Sequence, residues 1–162
     1  MEKKYKLTDE TTEWCGHTLH RIEALRDFAG VKKGDKGGWV EKEENLSHDG
    51  DCWVTDNAYV SGTARVSGTA WVSGTVWVAD NARVRSGKDF LSINGIGSRF
   101  DTTTAFKCAD DSVEITCGCF YGTVEEFEKA VEKTHGDIKY GREYKAVIEL
   151  IKVHFGLTGE KE

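Results

Sequence analysis

Between Gly50 and Arg85 the apolar positions return every sixth residue. Written in sixes the segment reads GDCWVT, DNAYVS, GTARVS, GTAWVS, GTVWVA, DNARVR. One column holds Val54, Val60, Val66, Val72, Val78 and Val84, and the column two places earlier holds Cys52, Ala58, Ala64, Ala70, Val76 and Ala82. An amphipathic helix needs an apolar stripe with a period of about 3.6 residues, which a period of six does not supply. A strand needs alternation, and Ala-x-Val supplies it for three residues before Gly or Asp, then Thr or Asn, interrupts with turn chemistry. The pattern predicts very short strands joined by regular corners. One such turn of chain cannot bury its own apolar face, so the repeats must stack and stabilise one another.

These hexads resemble the repeat of left-handed parallel β-helices, in which three hexads form one triangular coil of 18 residues. The corner residue differs in place, since Gly or Asp falls two positions after the valine rather than one. The resemblance implies that residues 18 apart share a face: Trp53 with Trp71, Tyr59 with Trp77, and Arg65 with Arg83. Two faces would carry aromatic ladders and the third arginines. Contiguous aromatic and arginine surface is the composition of binding hot spots. Trp53, Tyr59, Arg65, Trp71, Trp77 and Arg83 are therefore the candidate oligomer interface, of the homotrimer that this fold class often forms. The alternatives are cover by other segments of the same chain and a platform on which a ligand stacks. Six hexads make only two coils, and the prism is expected to extend upstream. Counted back by six, Leu46 and Val40 fall in the small-residue column.

The flanks differ in texture. Residues 1–48 read as an N-terminal cap, with Ile22, Leu25, Phe28 and Val31 apolar enough to close one end of the prism, because an open solenoid end exposes core and unpaired strand edges. Residues 49–87 form the repeat region. Residues 88–162 read as a small α+β domain of three strands, in DFLSINGIG, TTTAFKC and VEITCGCF, and two helices. Thr123 and Glu126 compose a capping box ahead of an apolar face of Val124, Phe127 and Val131, and Gly136 closes that helix. A second helix over roughly 141–155 places Tyr144, Val147, Ile148, Ile151 and Phe155 on one stripe before Gly156. The expected fold class is mixed β and α/β: a short left-handed parallel β-helix followed by this domain.

The phrases RIEALRDFAGVKKGDKGGWV and NLSHDGDCWV resemble the N-terminus of YdcK-like hexapeptide-repeat proteins and related proteins of phages and prophages. IGSRFDTTTAF, CGCFYGTVEEFEKAVEKTHG and EYKAVIEL resemble a C-terminal module that accompanies phage-type repeat proteins. Many left-handed β-helix proteins are acyltransferases that use a coenzyme A thioester and a histidine near a subunit junction. Here the hexads contain no histidine; His48 lies just before them, and His17 and His20 further upstream.

A hydrophobic content of 38% against 31% charged residues reads as a soluble globular chain. No apolar run approaches the roughly 20 residues that span a bilayer, and MEKKYKLTDE lacks the apolar stretch of a signal peptide, so the expected address is cytoplasmic. The net charge is −6, most of it in residues 109–162 with seven Lys/Arg against twelve Asp/Glu. That balance argues against non-specific nucleic-acid binding, which needs cations to neutralise phosphates. Five cysteines at scattered positions do not form a disulfide framework. Cys108, Cys117, Cys119 and His135 suit zinc in residue type, but Val113, Ile115, Cys117 and Cys119 share one alternating face, as core residues do. Cys119 with His135 is a further candidate, as a thiol nucleophile and its base. In GSRFDTTT, the residues Ser98, Arg99, Asp101 and Thr103 beside glycines suit an anion or nucleotide phosphate, or else Arg99 and Asp101 pair with each other.

The expected function is non-catalytic binding without a cofactor: an accessory or counter-defence protein of phage type that grips a host protein or sequesters a small nucleotide. The alternatives are an acetyl-CoA-dependent hexapeptide-repeat acyltransferase and a structural assembly module.

Overall fold

The computed structural model of the chain describes residues 2–159. It opens with a hairpin of β1 (Tyr5–Trp14) and β2 (His17–Ala24), followed by β3 (Lys36–Val40). Six two-residue strands come next: β4 (Trp53–Val54), β5 (Tyr59–Val60), β6 (Arg65–Val66), β7 (Trp71–Val72), β8 (Trp77–Val78) and β9 (Arg83–Val84). They pair in parallel at a spacing of 18 residues, with Val54 opposite Val72, Val60 opposite Val78 and Val66 opposite Val84. Main-chain bonds hold the coils together, among them Trp53 N–H to the Ala70 carbonyl at 3.0 Å and Arg65 N–H to the Ala82 carbonyl at 2.9 Å.

Both predicted inner columns are buried: the six valines and the Cys52-to-Ala82 set each expose 1% or less. The residue that opens each hexad explains the corner. Gly50, Asp56, Gly62, Gly68, Gly74 and Asp80 all have φ between 42° and 83°, a left-handed conformation open to glycine and tolerated by Asp. At Gly68 a Cβ would also lie 2.6 Å from the Arg85 carbonyl oxygen of the next coil.

The coils do extend upstream, but in a different register from the expected one. Val40 pairs with Val60 and Leu46 bridges to Val66, both at a spacing of 20. Two extra residues between Leu46 and Val54 shift Val40 and Leu46 out of the small-residue column and into the valine column. The segment expected to be only a cap thus supplies coil as well. Its β1, β2 and β3 join one ladder laterally, giving a five-stranded sheet in the order β1-β2-β3-β5-β8.

Beyond the coils, β10 (Phe90–Ile96), β11 (Asp101–Lys107), β12 (Val113–Cys117) and β13 (Phe120–Thr123) form an antiparallel meander. The sheet has four strands where three were expected, because VEITCGCF turns at Gly118–Cys119 and returns. Helices α1 (Val124–His135) and α2 (Lys139–His154) cover one face. Thr123 Oγ1 accepts from Glu126 N–H at 3.1 Å while Glu126 Oε2 accepts from Thr123 N–H at 3.2 Å, the capping box read from the sequence. Alternation splits the sheet between two cores. Ala105 and Ile115 pack with Val124, Phe127, Tyr144, Ile148 and Ile151, whereas Phe106 and Cys108 join the coil core. Thr116 Oγ1 donates to the Trp77 carbonyl at 2.6 Å, and Ala109 N–H to the Asn81 carbonyl at 2.9 Å. The C-terminal sheet therefore covers one flank of the coils.

At the N-terminal end Tyr5, Ile22, Phe28 and Val31 are buried against the coils, with Leu25 only half-buried. Lys4 is fully buried among them. Its Nζ donates to the Cys52 carbonyl at 2.7 Å and the Gly50 carbonyl at 3.2 Å. No described helix is long and apolar enough to cross a membrane.

Candidate functional site

Two hairpin tips meet over the face that carries Tyr59 and Trp77. One is the β1–β2 turn, with Cys15 and Gly16 in the left-handed region (φ 45° and 86°). The other is the β12–β13 turn at Gly118–Cys119. A disulfide joins Cys15 to Cys119, with Cα atoms 5.7 Å apart. It bridges 104 residues of chain; the scattered cysteines, which did not read as a disulfide framework, thus include one bonded pair and three free thiols. Beside the disulfide opens a cleft of about 380 Å³ between hairpin, coils and C-terminal sheet.

Rings build much of its wall. Trp14 stacks on Tyr59 with centroids 5.0 Å apart, and Trp77 stands nearly perpendicular to Trp14 (83°) at 6.3 Å. Trp77 is fixed by its Nε1, which donates to Ser61 Oγ at 2.7 Å. Trp14 Nε1 is buried with no hydrogen-bond partner, a state that costs about 1–3 kcal/mol unless a ligand or water accepts from it. Phe100 forms the lip, 71% exposed and at φ 54°. A bulky side chain rarely holds that backbone region, and such strain gathers at ligand clamps and active sites. Asn57, Thr75, Thr102 and Asp101 supply the polar wall. Thr102 Oγ1 donates to Asn94 Oδ1 at 2.9 Å and shares a hydrogen bond with Thr75 Oγ1. Asp101 makes no ion pair among the described residues.

The predicted polar loop is split. Ser98 and Arg99 line a smaller cavity of about 290 Å³ between the sheet and the helices, with Phe120, Phe127, His135 and Tyr144. Asp101 belongs to both cavities, and it does not pair with Arg99. Thr103 is buried, its Oγ1 donating to Cys117 Sγ at 3.5 Å. Burial first, and the adjacent Cys117 second, hold the Tyr144 hydroxyl well above its usual pKa.

The thiol and metal candidates do not converge as a set: Cys117 and His135 line the smaller cavity, whereas Cys108 and Cys119 lie elsewhere. Cys119 lies in the disulfide and off the β12 face, so it offers neither a zinc ligand nor a nucleophile. Cys108 sits in the coil core, where burial, with the Glu114 charge next, pushes its thiol up to about 12. His135 stacks on Tyr144 at 5.6 Å. Among the described residues no group of three His, Cys, Asp or Glu could hold a metal ion.

The chain itself covers part of the aromatic ladders. Trp53 is 2% exposed beneath Phe28 and Tyr5, and Trp77 is 7% exposed beneath Trp14 and Tyr121. Tyr59 is half-buried, Trp71 remains 41% exposed, Arg65 is exposed and Arg83 partly so. On the arginine side Arg65, Arg83 and Arg85 line a groove of about 490 Å³ with His48, Glu44 and Asp49. Arg83 donates to the Thr63 carbonyl at 2.8 Å, and none of the three arginines has a carboxylate within ion-pair reach among the described residues. Both nitrogens of His48 are engaged: Nδ1 accepts from Lys4 N–H at 3.1 Å, which leaves Nε2–H to donate to Glu43 at 2.8 Å. His17 contacts Glu41 through Nδ1 at 3.2 Å, and His20 Nδ1 donates to the Thr8 carbonyl at 3.1 Å.

Sequence reasoning did not single out Trp14, Asn57, Thr75, Phe100 or Thr102. The one signal available was Trp-Cys-Gly, an aromatic residue ahead of a tight turn.

No family model matches the chain. Over 62 residues, 33% of the chain, it is 32% identical to the Escherichia coli (strain K12) protein described as "Uncharacterized acetyltransferase YdcK". The match spans 19% of that protein's length. The similarity is therefore distant and partial.

Proposed function

We propose that this chain is a non-catalytic binding protein whose short parallel ladders form a left-handed β-helix and whose cleft at Trp14 takes a small ligand. The observation that carries the reading is the cleft itself: three rings in fixed mutual geometry, a buried indole N–H without a partner, and an exposed Phe100 held in an unfavourable backbone conformation. Small-molecule sites combine apolar walls with a few convergent polar groups in this way. Assembly as a homotrimer is part of the proposal, now through Trp71, Arg65 and Arg83. The likeness of the flanking phrases to phage-type proteins supports an accessory or counter-defence role, in which the protein sequesters a host component.

A second reading is an acyltransferase that uses acetyl-CoA. The partial similarity to YdcK supports it, as does a groove that brings three arginines beside His48. Against it, a general base needs a free lone pair, and that of His48 Nδ1 is already taken by Lys4 N–H.

Thermal melting against a panel of small metabolites and acetyl-CoA separates the two. A ligand specific to the folded state raises the melting temperature. The binding reading expects a shift from a small ligand that Trp14→Ala abolishes, and none from millimolar acetyl-CoA. A shift with acetyl-CoA that survives in Trp14→Ala and is lost in His48→Ala favours the enzyme.

A further inference from the structure

We infer that the ligand of the Trp14 cleft is a small organic cation, an alkylated or quaternary ammonium. This rests on the binding reading above and names its ligand class. Asp101 is the one charged residue among those that line the cleft. No Lys or Arg of the described residues lies within ion-pair distance of it. A nucleotide phosphate would meet that carboxylate with no cation on the walls to offset it. A cationic head meets the opposite situation. The carboxylate supplies the counter-charge, and Trp14, Trp77 and Phe100, which line the same cleft, supply aromatic surface of the kind that attracts cations, with Trp the strongest of the aromatic residues. The near-perpendicular Trp14 and Trp77 form a corner rather than a parallel slot, which suits a compact rounded group better than a flat base. The net charge of −6 adds long-range attraction of the same sign.

Choline and its uncharged isostere 3,3-dimethyl-1-butanol test this directly on the full chain. Both carry the hydroxyl and nearly the same shape, and they differ in charge. Binding is read from tryptophan fluorescence and from the Trp14 indole N–H signal in NMR spectra. The expected result is choline binding at least tenfold tighter than the isostere, weakened by added salt. In Asp101→Asn the preference for choline over the isostere should fall at least fivefold. The wild-type comparison decides the matter even if that variant folds poorly. Equal binding of the two compounds overturns the cation inference and leaves the cleft as a binding site. So does Trp14-dependent binding of adenosine without choline binding. If choline, isostere and adenosine all leave the indole signals unmoved, the inference and the binding reading fall together.

Discussion

Trp14 lies face to face with Tyr59, ring centroids 5.0 Å apart and planes inclined by 24°. The contact joins the tip of the N-terminal hairpin to the coils and forms one wall of the cleft. Replacing Trp14 by Ala should abolish ligand binding and cost about 2 kcal/mol of stability. That is below the 3–5 kcal/mol typical of a fully buried Trp, since this ring is only half-buried. Urea unfolding measures the loss. A variant as stable as wild type would mean that the hairpin tip is not held by this pair.

The Cys15–Cys119 bond closes a loop of about a hundred residues, for which chain entropy gives a stabilisation of about 5 kcal/mol. Alkylation with iodoacetamide followed by mass measurement counts the thiols. Cys52 and Cys108 are buried, and the Cys108 thiol is held near 12, so the native protein should take at most one label, at Cys117. Unfolded without reductant it should take three, and after reduction five. Five labels without reductant would show that the two hairpin tips are not bonded. Such bonds persist in oxidising compartments, so in a reducing cytosol the clasp should be open and the chain correspondingly less stable.

Gly68 and Gly74 occupy the same column of the repeat, yet their surroundings differ. Both have positive φ, but a Cβ on Gly68 would sit 2.6 Å from the Arg85 carbonyl oxygen and one on Gly74 would meet nothing within 4 Å. Gly74→Ala should therefore lose only the left-handed cost, about 1–2 kcal/mol. Gly68→Ala should lose at least about 1 kcal/mol more, because the coils must separate. Equal losses, measured by chemical unfolding, would contradict the stacked corner.

Lys4 plugs the N-terminal end of the coils with its ammonium on the Gly50 and Cys52 carbonyls. Lys4→Met keeps much of the volume and removes the donor, leaving the Cys52 carbonyl, whose bond to Lys4 is buried, and the more exposed Gly50 carbonyl without it. A loss of about 1–3 kcal/mol is expected. An unchanged denaturation midpoint would show that those carbonyls find water instead.

The repeat was legible because each of its residues has one dominant job. Val at the inner wall, Ala in the corner and Gly or Asp at positive φ all recur, and a period of six admits no helix. Thr123 and Glu126 were legible for the same reason, since capping is local chemistry. The N-terminal strand YKLTDETTEW was not, because only Tyr5, Leu7 and Trp14 are apolar and much of its length faces solvent. Counting by sixes could not detect the two residues inserted between Leu46 and Val54, so Val40 and Leu46 were assigned to the wrong column. In the candidate site, Asp101 stood out by charge, whereas Trp14 and Phe100 did not. Each is a single aromatic residue in a polar stretch, and its neighbours in the cleft come from distant parts of the chain. The Cys15–Cys119 pair was hidden likewise, since what joins these residues is the meeting of two turns and not any spacing.

The proposed function places a small ligand in the cleft of an assembled, non-catalytic protein. Native mass spectrometry of gently purified wild type beside Trp14→Ala tests it most directly. The wild type should be a trimer carrying added low-molecular mass, and the variant should keep that subunit number at bare chain mass. A bare monomer in both samples would contradict the assembly and the site at once.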